Sequence, residues 1–316
     1  MASQTASHAR TLASGAQSPH AASRDSQTLI LPDGRTLGFA EYGPASGKPL
    51  FFFHGCPSAR IEAALLEEKA TKAGARIISP DRPGMGISSF QPNRALTDWP
   101  SDVQHLAQHL KLDVYRVLGG SGGGPYAVAC AKMLPKASLK AVGILAGAGP
   151  WEAGLRGQNP TSKLTMYLAA YWPSALRYLS RKMIVEPQQR KSDEELLKDM
   201  DKFVARLSEK DRAAFEKEPE AKMALVQVMK ESFKQGLDGY IQEGVILTRP
   251  WGFKLEDIDF GKVLLWYGTE DSNTPLAWGK YMADRIPNAI LKEYPGETHF
   301  TLDTQIDEVL QELMAV

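Results

Sequence analysis

Ser121 stands in residues 119–123, which match the pattern G-x-S-x-G. An apolar, strand-like run over 115–118 precedes this stretch, and helix-favouring residues follow it from Ala127. A serine on such a strand-to-helix turn needs a strained backbone, and glycines two positions away on either side remove the clash that side chains would cause. The pattern therefore predicts a nucleophilic serine. A glycine-rich turn or phosphate cradle is the alternative interpretation.

A serine nucleophile needs a base near pH 7, and the base in turn needs a carboxylate that orients it. Asp271 and His299 each follow an apolar, strand-like run near the end of the chain. We predict that these two residues complete a Ser-Asp-His triad with Ser121. Glu270 is the rival carboxylate, but the register of the loop favours Asp271.

The segment HGCP, at residues 54–57, directly follows a phenylalanine-rich strand and is predicted to be an oxyanion loop. The backbone N–H groups of Cys56 and Gly122 would point at the oxyanion of a tetrahedral intermediate. Loss of one such donor typically costs on the order of 3 kcal/mol of transition-state stabilisation. His54 is grouped with the substrate-binding residues, and its expected task is to orient the loop rather than to act in catalysis.

Apolar strand-like runs alternate with helical stretches along most of the chain, which predicts an α/β fold with a mostly parallel, doubly wound sheet. An antiparallel hairpin is predicted near residues 29–40. Strand-like runs disappear between about 150 and 250, where helical sequence replaces them. We predict a disordered tail over 1–26, an α/β core over 27–149 and 251–316, and a helical cap over 150–250.

Five segments jointly resemble the α/β-hydrolase fold superfamily, in the group that shares an esterase, epoxide-hydrolase and haloperoxidase-like core. They are HGCPSAR (54–60), SPDRPGMGIS (79–88), GGSGGGPYA (119–127), WYGTEDSNTP (266–275) and GETHF (296–300). The resemblance covers roughly residues 27 to 316 and implies that Ser121 is the nucleophile, Asp271 the acid and His299 the base. Epoxide hydrolases and haloalkane dehalogenases place an aspartate at the nucleophile position, so Ser121 argues against both activities.

The predicted cap opens with aromatic residues at helical spacings. Because ligand pockets are mostly apolar with a few polar groups, we predict that Tyr167, Tyr171 and Trp172 bind a hydrophobic acyl or alcohol group of the substrate. The alternative for each of them is plain packing between the cap and the core.

Composition limits the classes of partner. The chain has 37 basic and 37 acidic residues, and this zero net charge argues against nucleic-acid binding. Two cysteines without a Cys/His cluster indicate neither a disulfide framework nor a metal site, and no cofactor is expected. The sequence contains no run of 18 apolar residues, so no membrane span is expected. The tail has no apolar segment of the kind found in secretory signals, so no secretory signal is expected. We expect a cytoplasmic protein, with a mitochondrial presequence as the alternative, and the sequence leaves the oligomeric state open.

These features together predict an enzyme, namely an esterase-like serine hydrolase. It would cleave an ester, thioester or similar activated carbonyl of a small, hydrophobic substrate through an acyl-enzyme. Carbon–carbon bond hydrolysis, acyl transfer and cyclisation on the same scaffold are alternatives, because a fold does not decide among them. A ligand-binding protein that has lost turnover is a further alternative, although the intact set of three residues argues against it.

Overall fold

The computed structural model describes residues 24–316, and its centre is a mixed sheet of eight strands. The strands are β1 (Gln27–Ile30), β2 (Thr36–Tyr42), β3 (Lys48–Phe53), β4 (Ala75–Pro80), β5 (Tyr115–Gly120), β6 (Leu139–Leu145), β7 (Val263–Gly268) and β8 (Ala289–Tyr294). Their spatial order is β1-β2-β4-β3-β5-β6-β7-β8. Strand β2 pairs antiparallel with β1 and with β4, and all other neighbours are parallel. The predicted hairpin and the predicted, mostly parallel sheet are confirmed.

Twelve α-helices lie within residues 24–316. They are α1 (Glu67–Ala73), α2 (Trp99–His109), α3 (Gly124–Met133), α4 (Pro160–Tyr171), α5 (Pro173–Ser180), α6 (Glu186–Arg190), α7 (Asp193–Val204), α8 (Glu209–Lys217), α9 (Pro219–Ser232), α10 (Asp238–Leu247), α11 (Leu276–Ala283) and α12 (Ile306–Met314). Helices α2, α3 and α11 cover one face of the sheet, while α1 and α12 cover the other. None of these helices has the length and apolarity to cross a bilayer.

Strand β3 shows why the sequences of the central strands are continuously hydrophobic. Phe51 and Phe53 belong to the core on one face of the sheet, whereas Leu50 and Phe52 belong to the core on the other. Successive side chains of a strand point to opposite faces, so a sheet covered on both sides needs apolar residues at every position. The same arrangement brings the carboxyl ends of the parallel strands to one edge of the sheet.

A helical insertion, residues 151–247, lies between β6 and β7 and contains helices α4 to α10. Its own small core consists of Ala169, Leu176, Val185, Phe233, Leu237 and Ile241. The helical insertion expected from the sequence is therefore present. The domain boundaries at 150 and 250 stay a prediction.

A buried ion network attaches the insertion to the core through helix α10. Arg82, in the loop after β4, is fully buried, and its Nε lies 2.8 Å from Oε2 of Glu243 on α10. Arg94 Nη2 donates to the same carboxylate oxygen at 3.2 Å. Burial works against the charge of Arg82, but Glu243 raises the pKa of Arg82 above its ordinary value. Arg82 therefore stays ionised.

A second buried arginine, Arg60, makes a similar connection to helix α9. Its Nη1 lies 2.9 Å from Asp81 Oδ2 and 2.6 Å from Oε1 of Glu231 on α9. Its Nε donates to Asp25 O at 2.6 Å, and Nη2 donates to Ser26 Oγ at 3.2 Å. The last residues of the predicted tail are therefore held by the core, and residues 1–23 lie outside the described residues.

We predict that Glu243→Gln lowers the free energy of unfolding by about 3–5 kcal/mol, because two buried arginines lose their counter-charge. Urea denaturation followed by circular dichroism measures the change. Asp307→Asn is the control, since it breaks an exposed pair with Lys72 in which both side chains are at least 42% exposed. The control should cost at most about 1 kcal/mol. Equal effects of the two substitutions would contradict the assigned role of the network.

Candidate active site

Ser121 lies on the turn between β5 and α3, at the start of the short 3-10 helix Ser121–Gly123. Its φ of 50° is in the left-handed region, which residues other than glycine rarely adopt. A Cβ on Gly119 would lie 2.4 Å from Gly123 O, and one on Gly123 would lie 2.1 Å from Phe53 O. Both positions therefore need glycine, for the steric reason that the sequence pattern predicts.

Asp271 and His299 meet at the carboxyl edge of the sheet, in the loops after β7 and β8. His299 Nδ1 lies 2.7 Å from Asp271 Oδ2. The backbone N–H groups of Asn273 and Thr274 each donate to Asp271 Oδ1 at 2.8 Å, and Thr274 Oγ1 donates to Asp271 Oδ2 at 2.8 Å. The carboxylate is 4% exposed and is thus fixed in a direction that orients the imidazole ring.

The charges of this pair oppose the effect of burial. Burial alone would raise the pKa of Asp271 and lower that of His299, because it penalises the charged forms. The charge of His299 and its hydrogen bond, together with the bonds from Thr274, nevertheless hold the pKa of Asp271 below its ordinary value. The Asp271 carboxylate in turn raises the pKa of His299 above its ordinary value of 6.5. The pair is arranged to stabilise an imidazolium.

Glu270, the rival carboxylate in the sequence, occupies a different position. Its side chain is exposed, and its backbone N–H donates to Glu297 O at 3.0 Å. Within the described part of the chain, no hydrogen bond or ion pair joins Glu270 to His299. The geometry therefore favours Asp271 as the carboxylate partner of the histidine.

The loop after β3 lies against Ser121. A Cβ on Gly55 would lie 3.6 Å from Ser121 Cβ, and a Cβ on Gly122 would lie 3.1 Å from Cys56 N. Gly55 N–H donates to Glu62 Oε2 at 2.9 Å, whereas Cys56 N–H donates to no acceptor within residues 24–316. The two backbone groups predicted to form an oxyanion hole, Cys56 and Gly122, are therefore neighbours beside Ser121.

Arg82 sets the direction of this loop. Its Nη1 donates to His54 O at 2.6 Å and its Nη2 donates to Gly55 O at 2.7 Å. The N–H of a trans peptide points away from the carbonyl of the same peptide. The bond from Arg82 to Gly55 O therefore turns the Cys56 N–H in the opposite direction, away from Arg82.

His54 is buried with 0% exposure. Its Nδ1 lies 2.8 Å from Gly55 O, and its Nε2 accepts the Arg82 N–H at 3.3 Å. Burial, together with the Arg82 charge, holds the pKa of His54 well below its ordinary value. Both ring nitrogens are occupied by backbone groups, and the grouping of His54 with the substrate-binding residues stays a prediction. The geometry agrees with its other predicted task, which is to orient the loop.

Burial raises the pKa of the Cys56 thiol well above its ordinary value, and the nearby Glu243 carboxylate adds to this effect. The thiol stays protonated near pH 7, and a protonated thiol is a weak nucleophile. Cys56 is therefore suited to act through its backbone, as the sequence predicts. Across the described residues, no cluster of three or more His, Cys, Asp or Glu side chains is arranged to hold a metal ion.

The insertion touches the loop that carries Asp271. Asn159 N–H and Asn159 Nδ2 donate to Ser272 O at 2.8 and 3.1 Å. Gln158 Nε2 donates to Asn273 O at 3.0 Å. Asn159 also accepts the Ser162 N–H at 2.9 Å and so caps helix α4. The start of α4 and the acid loop are thereby fixed to each other.

The insertion also touches the loop that carries His299. Lys210 Nζ, on α8, donates to Gly296 O at 2.5 Å, and Thr298 Oγ1 donates to the Asp211 carboxylate. The ring centroid of Phe215 lies 5.5 Å from that of Phe300. Helix α8 is therefore packed directly against the residues on either side of His299.

Tyr167, Tyr171 and Trp172 lie together on the insertion but face solvent, with exposed fractions of 47%, 61% and 64%. Tyr171 contacts both of the others, and the ring centroids of Tyr167 and Trp151 are 6.1 Å apart. None of the ring contacts of this group within the described residues involves His299. Their predicted role in substrate binding stays a prediction.

Sequence reasoning missed several residues that support the site. Arg82 lies in the segment SPDRPGMGIS (79–88), and the sequence pattern assigns it no role. Glu243 is the only charged residue between positions 239 and 248, and an acid in an apolar helix is a sign of a buried partner. The sequence gives no distinct signal for two further supports of the site. Glu62 accepts the Gly55 N–H, and Thr274 donates to the Asp271 carboxylate.

Comparison with known proteins shows the family of this chain. The family described as alpha/beta hydrolase fold matches residues 48–305. The chain therefore belongs to the alpha/beta hydrolase fold family.

The individual proteins to which the chain is similar include proline iminopeptidases and an esterase. It is 26% identical over 282 residues to a proline iminopeptidase from Lactobacillus delbrueckii subsp. lactis, covering 84% of this chain and 88% of that protein. It is 33% identical over 109 residues to a proline iminopeptidase from Xanthomonas citri, but this match spans only 34% of that relative's length and 33% of this chain. Among solved structures, an esterase from Exiguobacterium antarcticum has a TM-score of 0.64 at 17% identity, covering 92% of this chain and 100% of that chain.

An alpha/beta hydrolase fold protein from Nakamurella multipartita has a TM-score of 0.67 at 20% identity, covering 92% of this chain and 99% of that chain. At these identities the two structures show the shared fold. The chain is thus an alpha/beta hydrolase with esterase and iminopeptidase neighbours.

We predict that His299 titrates above pH 6.5 and that His54 is still neutral when His299 is protonated. The Asp271 carboxylate raises the pKa of His299 against the effect of burial, whereas burial and the Arg82 charge both lower the pKa of His54. NMR titration of the imidazole groups measures both. Asp271→Asn should move the pKa of His299 down, and Glu270→Gln should leave it unchanged. If Glu270→Gln shifts the pKa of His299 more than Asp271→Asn does, Glu270 rather than Asp271 is the carboxylate partner of the histidine.

Proposed function

We propose that the protein is a serine hydrolase that cleaves an ester, thioester or similar activated carbonyl through an acyl-enzyme on Ser121. The observation that carries this proposal is the 2.7 Å bond between Asp271 and His299, at the sheet edge where Ser121 also lies. Ser121 follows β5, Asp271 follows β7 and His299 follows β8. The order Ser, Asp, His along the chain is the order of triads on this fold.

In the first half-reaction, Ser121 Oγ attacks the carbonyl carbon while His299 Nε2 takes its proton. Asp271 holds the ring with Nδ1–H toward the carboxylate and stabilises the resulting imidazolium. The N–H groups of Cys56 and Gly122 bind the oxyanion. His299 then gives its proton to the leaving alkoxide or thiolate, and the acyl group stays on Ser121.

In the second half-reaction, His299 takes a proton from water, and the hydroxide attacks the acyl-enzyme. Collapse of the new tetrahedral intermediate releases the carboxylic acid, and the proton on His299 returns to Ser121 Oγ. Ser121 Oγ makes no hydrogen bond to His299 within the described residues. Catalytic hydrogen bonds are often long without substrate and tighten in the complex.

Cleavage of an N-terminal residue from a peptide is a second candidate function. The similarity to a proline iminopeptidase along 84% of the chain favours it. Both candidates use the same steps at Ser121, but a peptide has an amine as its leaving group, which His299 must protonate as it departs. Comparing kcat/KM for p-nitrophenyl esters and for prolyl β-naphthylamide distinguishes the two.

We predict that an alkyl fluorophosphonate labels Ser121 and that Ser121→Ala abolishes both labelling and ester hydrolysis with an unchanged circular dichroism spectrum. Asp271→Asn should reduce kcat by roughly 10⁴-fold, because the imidazole adopts the wrong tautomer. Glu270→Gln is the matched control and should retain activity. A folded protein that resists the probe and hydrolyses no ester would instead favour a binding protein without turnover.

We predict that kcat/KM falls as the pH drops through the raised pKa of His299, because only the neutral imidazole can accept the proton of Ser121. Asp271→Asn should shift this acidic limb to lower pH, since the imidazolium loses its anionic neighbour. The residual activity of the variant, measured between pH 4 and 9, tests the direction. A limb that stays in place would remove His299 from the role of base.

A further inference from the structure

Helix α4 and the residue after it carry a group of exposed aromatic side chains, which we call the aromatic patch: Tyr167, Tyr171 and Trp172. The Tyr167 and Tyr171 rings stack with centroids 6.4 Å apart, and the Tyr171 and Trp172 centroids are 6.2 Å apart. Leu164, which is 57% exposed, lies on the same face of α4 because positions 164, 167 and 171 are spaced by three and four. Contiguous exposed apolar surface of this kind marks an interaction site.

Exposed apolar residues continue into the next helical stretch. Leu179 lies on α5, and Met183 lies in the π-helical turn Arg181–Val185 that follows it. Their exposed fractions are 38% and 74%. Trp172 lies between α4 and α5. Exposed apolar residues therefore continue along the chain beyond the aromatic patch.

The charge of this part of the insertion is one-sided. Residues 153–185 contain five basic residues and no acidic one, although the whole chain has no net charge. The basic residues are Arg156, Lys163, Arg177, Arg181 and Lys182. Arg177 pairs with Asp238 at 2.6 Å and Lys182 pairs with Glu186 at 2.8 Å. Arg156, Lys163 and Arg181 form no ion pair within residues 24–316, and Lys163 lies one helical turn from Tyr167 on α4. The charge of Lys163 is therefore next to the aromatic patch.

We infer that this surface of the insertion binds an anionic phospholipid bilayer. Tryptophan and tyrosine side chains favour the interface between headgroups and acyl chains, and basic residues beside them attract anionic headgroups. Each basic residue near such a surface strengthens binding about fivefold. A second copy of the chain fits this surface less well, because face-to-face pairing would bring two sets of basic residues together.

Sedimentation of the full chain with vesicles tests the inference. The protein should bind vesicles that contain phosphatidylserine more strongly than vesicles of phosphatidylcholine alone, and added salt should weaken the binding. Tyr171→Ser combined with Trp172→Ser should weaken it by more than about tenfold, since burial of ~100 Å² of apolar surface is worth at least that factor. Lys163→Glu should remove most of the preference for phosphatidylserine.

Ile30→Ser is the matched control, because Ile30 is 65% exposed on β1, outside the insertion, and the variant should bind as the parent does. Circular dichroism checks that each variant is folded. No binding to either vesicle, or binding that the Tyr171/Trp172 variant retains, would overturn the inference. Sedimentation velocity tests for pairing between copies of the chain. If the parent and the other variants form dimers and the Tyr171/Trp172 variant does not, the patch is a contact with a second copy, and the inference is overturned as well.

Discussion

The buried contact between Arg82 and Glu243 is the interaction on which the candidate active site depends most. One guanidinium is held by a carboxylate of the insertion and holds the carbonyls of His54 and Gly55 in the core. Because the Gly55 carbonyl and the Cys56 N–H belong to one peptide plane, the same contact directs the group proposed to bind the oxyanion. Burying these charges is costly unless all partners are present, so the insertion and the oxyanion loop are positioned together.

The pair of Asp271 and His299 follows the same physical rule on a smaller scale. Each group alone would lose its charge on burial, and each keeps the other's charged form favourable. Thr274 completes the set of donors around the carboxylate. The site is therefore polar at its centre, while the sheet beneath it is apolar on both faces.

Much of this arrangement could be predicted from the sequence because it is local. The strand, the turn and the helix around Ser121 are contiguous, and the glycine requirement follows from backbone sterics alone. Glu243 could not be assigned in this way, since its partner Arg82 lies 161 residues away and only the packed fold brings them together. Helical spacing likewise groups Tyr167 with Tyr171, but it does not reveal whether that shared face turns to the core or to solvent.

The contacts of the insertion with the loops around Asp271 and His299 bear on how this protein can diverge. Asn159 is bonded to the first loop and Asp211 to the second, so the insertion is not an independent module placed on a finished core. A recombination event that exchanged residues 151–247 alone would separate each loop from its support. The insertion and the geometry of the two loops are therefore expected to evolve as one inherited block.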